Sequence, residues 1–220
     1  MNKIRRLGLI GDIHGDDALL EQALRLLSER GVERIAATGD IVDGPGSIDR
    51  CCELLAAHRV LAVRGNHDRW LLEGVLRDLP HATLASALTP TAKDFIAGLP
   101  PTLELDTPRG RLLLCHGLGP HDTKKVNPDD SGYALESNFE LQELLCSSRG
   151  YRWILNGHSH RRMVRHFPEG TTIVNAGTLG PDEHSGGCLE LDFETGVARL
   201  FEFTPTGRLD SAPSEIPLLG

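Results

Sequence analysis

No stretch of the chain stays apolar for the ~20 residues that a membrane-spanning helix requires. The apolar run near its start, Leu7 to Ile10, spans four residues, too short for the core of a signal peptide. Zinc-ribbon and redox CxxC spacings are both missing. The five cysteines (Cys51, Cys52, Cys115, Cys146 and Cys188) are odd in number and include an adjacent pair, so a reduced, cytoplasmic protein is expected. Basic residues are in the minority, 23 against 31 acidic, for a formal net charge of −8. That balance disfavours binding driven by attraction to a long nucleic acid backbone. The glycine-rich GDIVDGPG around Asp40 lacks the G-K-[ST] ending of a phosphate loop. No internal repeat or low-complexity segment occurs. What is present is ordinary for a globular protein: 40% hydrophobic and 25% charged residues in 220, a length that one domain over 1–220 can fill.

The first half alternates short apolar runs with helical stripes. Residues 5–10, 33–38 and 59–64 read as buried strands. Between them, Leu19, Leu20, Ala23, Leu24, Leu26 and Leu27 mark a helix over 16–30, with Asp16 as N-cap and Gly31 as C-cap. A second helix over about 47–57 starts from Ser47. Strand, helix, strand, helix, strand implies parallel strands with right-handed crossovers. Residues 68–98 are expected to be helical in two pieces, broken near Pro80 and restarted at Thr89-Pro90. A strand follows at 110–115, a surface loop at 118–135, a helix near 136–148 and a strand at 152–155. Runs near 162–167, 171–174, 187–193 and 197–203, separated by turn signals that include Gly180-Pro181, are expected to be antiparallel. The tail from 204 is expected to drape over the surface.

Five of the strand ends carry residues suited to a metal ion: Asp12-Ile13-His14, Gly39-Asp40, Gly65-Asn66-His67-Asp68, His116-Gly117 and His158-Ser159-His160. Ligands in open α/β sheets gather beyond the carboxyl ends of the strands, so these distant segments can converge. D-x-H and H-x-H spacings put two side chains on one side of an extended segment, as chelation requires. The glycines around them let the backbone turn sharply and come close. A donor set of carboxylate, imidazole and amide points to Mn, Fe or Zn. Ions roughly 3.5–4 Å apart can share a bridging carboxylate and clamp a phosphoryl group.

The series GDIHG, GDIVDG, GNHD, CHG, GHSH, in that order between residues 11 and 160, resembles the calcineurin-like metallophosphoesterase superfamily. The resemblance implies an α/β fold, a four-layer α/β/β/α sandwich of mixed sheets with a dinuclear metal site at the carboxyl ends of strands. It implies that Asp12, His14 and His160 hold one divalent ion, that Asn66, His116 and His158 hold the other, and that Asp40 bridges them. Manganese is the expected metal, with iron or zinc as alternatives. His67 is expected to contact phosphate and to protonate the leaving group, and Asp43 to orient that histidine. The implied activity is hydrolysis of a phosphodiester or phosphomonoester by a hydroxide held between the ions, on a small phosphorylated substrate.

Two departures bear on the branch of the family. Gly44 stands where the protein phosphatases have a phosphate-gripping arginine, and Asp68 where they have glutamate. Both point toward the smaller bacterial and archaeal phosphodiesterase-like branch. The competing readings are a dinucleoside polyphosphate hydrolase, a protein phosphatase and a non-catalytic metal-binding scaffold. Arg64 and Arg69 are candidate phosphate contacts that no motif assures. Arg161-Arg162 are read as solvated strand-edge charges, and Asp16 and Asp17 as helix-capping. His58, His81, His121, His166 and His184 fall outside the motifs and are read as surface or packing residues, with His121 the best placed of them to meet substrate.

Overall fold

The computed structural model describes residues 3–180, 186–204, 208–209 and 212–219. His184, the proline of the Gly180-Pro181 turn signal and parts of the tail lie outside the described residues.

Eleven strands form two mixed sheets. In chain order they are β1 (Arg6–Ile10), β2 (Arg34–Ala37), β3 (Leu61–Ala62), β4 (Thr102–Thr107), β5 (Gly110–Cys115), β6 (Tyr151–Asn156), β7 (Met163–His166), β8 (Thr172–Asn175), β9 (Gly186–Asp192), β10 (Val197–Phe203) and β11 (Ser214–Pro217). The first sheet has the order β11-β10-β9-β1-β2-β3 and the second β4-β5-β6-β8-β7. Each is parallel in part: β1, β2 and β3 run together in the first, and β5, β6 and β8 in the second.

The helices are α1 (Asp17–Glu29), α2 (Ile48–Ala57), α3 (Asn66–Leu72), α4 (Pro90–Ala97), α5 (Tyr133–Glu136) and α6 (Phe139–Leu145), with a 3-10 turn at Ala85–Ala87. Their starts follow local chemistry. The Asp16 carboxylate accepts from Leu19 N–H at 2.9 Å, the Ser47 hydroxyl from Arg50 N–H at 3.2 Å and the Thr89 hydroxyl from Ala92 N–H at 3.2 Å. Each satisfies a donor that the first helical turn leaves open.

Alternation along the strands builds the layers. Leu7 and Leu9 of β1 pack between the sheets with Leu112 and Leu114 of β5, Trp153 and Leu155 of β6 and Val174 of β8. On the other face of the first sheet, Ile10 packs with Leu20, Leu24 and Leu27 of α1 and Leu55 of α2. On the outer face of the second, Leu113, Cys115, Ile154 and Ile173 pack with Leu141 of α6. Strands buried on both faces read as continuous apolar runs. The outcome is the expected α/β/β/α sandwich. No helix among the described residues is long and apolar enough to cross a membrane.

The structure departs from the sequence reading in four places. Residues 102–107 are a strand, β4, joined to β5 by a tight hairpin in which Thr107 pairs with Gly110. The tail returns as β11 along β10 instead of only draping. The antiparallel last third is divided: β9 joins the first sheet beside β1, and β7–β8 joins the second, where β8 runs parallel to β6. Helix α3 stops at Leu72, and the chain then turns through Gly74 (φ +70°), so residues 73–84 are irregular.

Candidate metal centre

Every motif lies just past the carboxyl end of a strand. Asp12 and His14 follow β1, Asp40 and Asp43 follow β2, and Asn66 and His67 open α3 after β3. His116 follows β5, and His158 and His160 follow β6. Of the six non-glycine residues with positive φ among the described residues, five are here: His14 (44°), Asp40 (46°), Asp43 (66°), His158 (65°) and His160 (54°). A left-handed backbone at a non-glycine residue is costly and persists where the surroundings impose it, typically at functional sites. The glycines serve close approach. A Cβ on Gly65 would collide with Asp40 Oδ1, and one on Gly157 with Asp12 Oδ1 and Thr38 Oγ1.

The side chains form two clusters that share one residue. Ligand atoms of Asp12, His14, Asp40 and His160 lie within 4.8 Å of one another, as do those of Asp40, His116 and His158. His160 Nε2 is 3.2 Å from Asp12 Oδ2, and His14 Nε2 is 3.1 Å from His160 Nε2 and 3.9 Å from Asp40 Oδ2. In the second cluster, His116 Nε2 is 3.2 Å from Asp40 Oδ2 and 2.8 Å from Asn66 Oδ1. All seven expected ligands are therefore gathered, with Asp40 common to both groups.

The donor set fits cations. His116 Nδ1–H donates to Thr38 O at 2.8 Å and His14 Nδ1–H to Val42 O at 3.1 Å. In the neutral form that ligates, with the proton on Nδ1, each Nε2 turns a lone pair toward carboxylate and amide oxygens that are also acceptors. Lone pairs crowded at about 3 Å repel unless positive charge lies among them, and carbonyl bonds of this kind orient metal-bound imidazoles. Burial works against a charged His116, but the carboxylates of Asp40 and Asp12 overcome it and push its pKa up to about 10. Burial alone would raise the Asp40 carboxyl, and the facing histidines, His116 first, bring it well below the usual range. His158 is shifted downward, by burial and then by the charge of His116, toward the neutral form that ligates. The field of the cluster thus favours positive charge at its centre. The buried thiols of Cys115 and Cys188 are pushed up to about 12 by burial, the behaviour of core residues rather than thiolate ligands.

His67 borders both groups. Its N–H donates to Asp40 Oδ1 at 2.9 Å, and its Nε2 lies 4.0 Å from Asp40 Oδ2. Its Nδ1 is 2.7 Å from Asp43 Oδ2. Burial opposes charge on this ring, but the bond to Asp43 and the charge of Asp40 outweigh it and raise its pKa. Asp43 moves the other way: burial is outweighed by bonds from His67, Arg77 and Thr83, and its pKa falls to about 2.

The sequence profile of the calcineurin-like phosphoesterase superfamily domain matches residues 6–196. The chain belongs to that superfamily. An uncharacterized protein of Methanocaldococcus jannaschii is 26% identical over 186 residues, 80% of this chain and 71% of that one. A hypothetical protein of Pyrococcus horikoshii has a similar fold, with a TM-score of 0.70 at 17% identity over 90% of this chain and 87% of that one. YfcE, a phosphoesterase from E. coli, gives a TM-score of 0.57 at 20% identity over 97% of this chain and 99% of that one.

Around this site stand further supporting residues. Thr38 Oγ1 donates to Asp12 Oδ1 at 3.1 Å while its carbonyl holds His116. The buried Asp68 accepts N–H bonds from Ile41, Val42 and Gly65; burial and the charge of Asp40 raise its pKa to about 6. Asn175 Nδ2 donates to Gly157 O at 2.7 Å and Ser159 Oγ at 3.1 Å, fixing the loop that bears His158 and His160. Trp70 lies 5.1 Å from the His67 ring. Arg77 and Thr83 grip Asp43.

Other candidates are placed elsewhere. Arg69 is held by Asp122 at 2.6 and 3.0 Å and by Glu73 at 2.9 Å. Arg161 binds Asp129 at 2.5 Å, and Arg162 binds Glu202 at 2.9 Å. Asp16 caps α1, and Asp17 accepts from Ser47 N–H at 3.0 Å. His58 caps α2, and His166 faces Thr172 Oγ1 at 3.0 Å. His121 lines a cavity of about 260 Å³ with Gly119, Glu140 and Glu143 on the outer side of the second sheet.

Proposed function

We propose that the chain is one metallophosphoesterase domain that hydrolyses a small phosphodiester or phosphomonoester with two divalent cations, Mn²⁺ first and Fe or Zn as alternatives. The observation that carries this reading is the convergence of lone-pair donors on two centres that share Asp40. In it, Asp12, His14 and His160 hold one ion, Asn66, His116 and His158 hold the other, and Asp40 bridges. Bound cations supply positive charge to the phosphoryl oxygens and lower the pKa of water toward neutrality. The protein fixes their spacing, excludes thiolates, and sets His67 beside the shared carboxylate as the proton donor to the departing oxygen. The filled ligand set, with His67 present beside the shared carboxylate, supports an enzyme over a scaffold. We place the enzyme in the cytoplasm, where its free cysteines stay reduced.

A diester is favoured over a monoester by the arginines. Gly44 offers no guanidinium, and Arg69, Arg77 and Arg161 each already bind a carboxylate, which leaves Arg64 of the two candidate phosphate contacts. A dianionic monoester finds less compensation there than a monoanionic diester. The deciding experiment compares an aromatic phosphodiester with its monoester, with added Mn²⁺ and with chelator. Chelator-sensitive cleavage, faster on the diester, is expected. Metal-replete protein that cleaves neither ester sinks the enzymatic reading and leaves a binding scaffold.

A further inference from the structure

The irregular segment after α3 is tied to the candidate site through Arg77. That side chain is 8% exposed and forks onto Asp43, with Nε donating to Oδ2 at 2.7 Å and a terminal nitrogen to Oδ1 at 3.0 Å. The same guanidinium donates to Thr83 O and to Val75 O, both at 2.6 Å, so the segment folds around its own arginine. Thr83 closes from the other side. Its N–H donates to Asp43 Oδ1 at 2.7 Å, and its hydroxyl accepts from Asp43 N–H at 2.9 Å. His67 completes the set on Oδ2. Each carboxylate oxygen therefore takes two donors.

A buried carboxylate with four donors carries no proton of its own and has no free lone-pair direction into which to turn. The proton in the Asp43–His67 contact must then sit on Nδ1 of the imidazole. Nε2 is left facing the ligand cluster, 4.0 Å from Asp40 Oδ2. Removing the guanidinium takes away two of the four donors and the fixed positive charge that Arg77 brings to Asp43. The carboxylate is then free to rotate, and His67 loses the acceptor that fixes its tautomer.

We infer that Arg77 is a positioning residue for leaving-group departure: acting through Asp43, it sets the tautomer and direction of His67. The inference rests on the phosphoesterase reading above. In that reaction the phosphorus–oxygen ester bond breaks and its electron pair stays on the ester oxygen. His67 enters as the imidazolium, with Nδ1–H on Asp43, and gives that oxygen its Nε2 proton, leaving the Nδ1–H imidazole. A water molecule supplies the oxygen that joins phosphorus and releases the proton that restores the imidazolium. Aryl oxides of low pKa depart unaided, whereas alkoxides need the proton. Misplacing His67 therefore slows esters in proportion to the basicity of what leaves.

The test uses Arg77→Gln and Arg77→Lys, with Leu76→Ser, 90% exposed in the same segment, as control. Nitrogen-15 NMR of the metal-free protein, taken at a pH above the His67 titration, reads the His67 tautomer without any turnover. Wild type is expected to hold Nδ1–H, Arg77→Gln to show mixed tautomers, and Arg77→Lys to lie between. A wild-type spectrum from Arg77→Gln overturns the inference. In the metal-loaded enzyme, a series of phosphodiesters graded by leaving-group pKa should lose under ~3-fold in kcat for nitrophenyl and about 100-fold for alkyl esters. Leu76→Ser should leave the gradient unchanged. An equal loss on every ester would make Arg77 a fold element only and would also overturn the inference. Loaded wild type with no turnover on any ester removes the phosphoesterase reading instead, and the tautomer spectra then decide on Arg77 alone. Should Arg77→Gln fail to fold, Arg77→Lys carries both readouts.

Discussion

His116 Nε2 stands 3.2 Å from Asp40 Oδ2, and with Nδ1 donating to Thr38 O the pair needs positive charge between its facing atoms, a proton on Nε2 or a cation. Asp40 belongs to both clusters, so its loss should be felt at both. Asp40→Asn keeps the volume and removes the charge. Elemental analysis after metal loading is expected to fall from about two ions per chain to fewer than one, with kcat/KM lower by a hundredfold or more. His160→Ala, which touches one cluster only, should retain about one ion. Equal stoichiometry in the two variants would contradict a shared carboxylate.

Thr38 offers a subtler test. Its hydroxyl donates to Asp12 Oδ1, and its side chain is fully buried. Thr38→Val preserves shape and the carbonyl that holds His116 but leaves one carboxylate lone pair unmatched. Partners of ligating groups typically contribute 10–100-fold in metal affinity. Calorimetric titration should show a loss in that range, confined to the ion that Asp12 is proposed to hold, and no change would make the bond incidental.

The acid limb of stability should carry the signature of Asp43. Its folded-state pKa is about 2 against an ordinary 3.8. The folded state thus binds this proton less readily than the unfolded chain. The associated stability is fully present above about pH 4 and is lost as pH falls from there through 2. A shift of this size corresponds to roughly 2–3 kcal/mol. Urea unfolding of the metal-free protein between pH 2 and 5 should be shallower in pH for Asp43→Asn by about that amount. Parallel pH profiles for the two proteins would show that the carboxylate is not held as its four donors suggest.

The five motifs were readable because each is local: a strand end, a glycine and a ligand within a few residues, such as Gly11-Asp12-Ile13-His14. The grip on Asp43 was not. Arg77 and Thr83 lie 34 and 40 residues away from it in a segment without periodicity, and only the fold brings them together. Strand β4 did carry a signal in the alternation Leu103, Glu104, Leu105, Asp106, whose leucines pack toward the inter-sheet core. Pro100 and Pro101 stand directly before it, and proline is disfavoured inside strands. The last third misled for another reason. Period-2 patterning identifies β8 and β9 as strands but says nothing about which sheet each joins, and pairing across more than a hundred residues, as between β1 and β9, leaves no local trace.

Glu190 shows that a charge buried for structure can be told from one buried for chemistry. Its side chain is fully buried on β9, opposite Gly8 and short of the carboxyl end of β1 where the ligands begin. It accepts from Arg6 at 2.7 Å, Arg30 at 2.8 Å and Arg199 at 3.2 Å. Burial is outweighed by the bonds from Arg30 and Arg6, and its pKa is lowered. Cutting a buried ion pair by removing one partner usually costs about 3–5 kcal/mol because a charge is stranded. Here the three guanidiniums are 35%, 38% and 24% exposed and can turn to water. Glu190→Gln should therefore fall below that range, at roughly 2–3 kcal/mol in urea unfolding. Metal stoichiometry and kcat should stay at wild-type values. A variant that keeps its stability but loses metal would move Glu190 from the scaffold of the sheet into the support of the site.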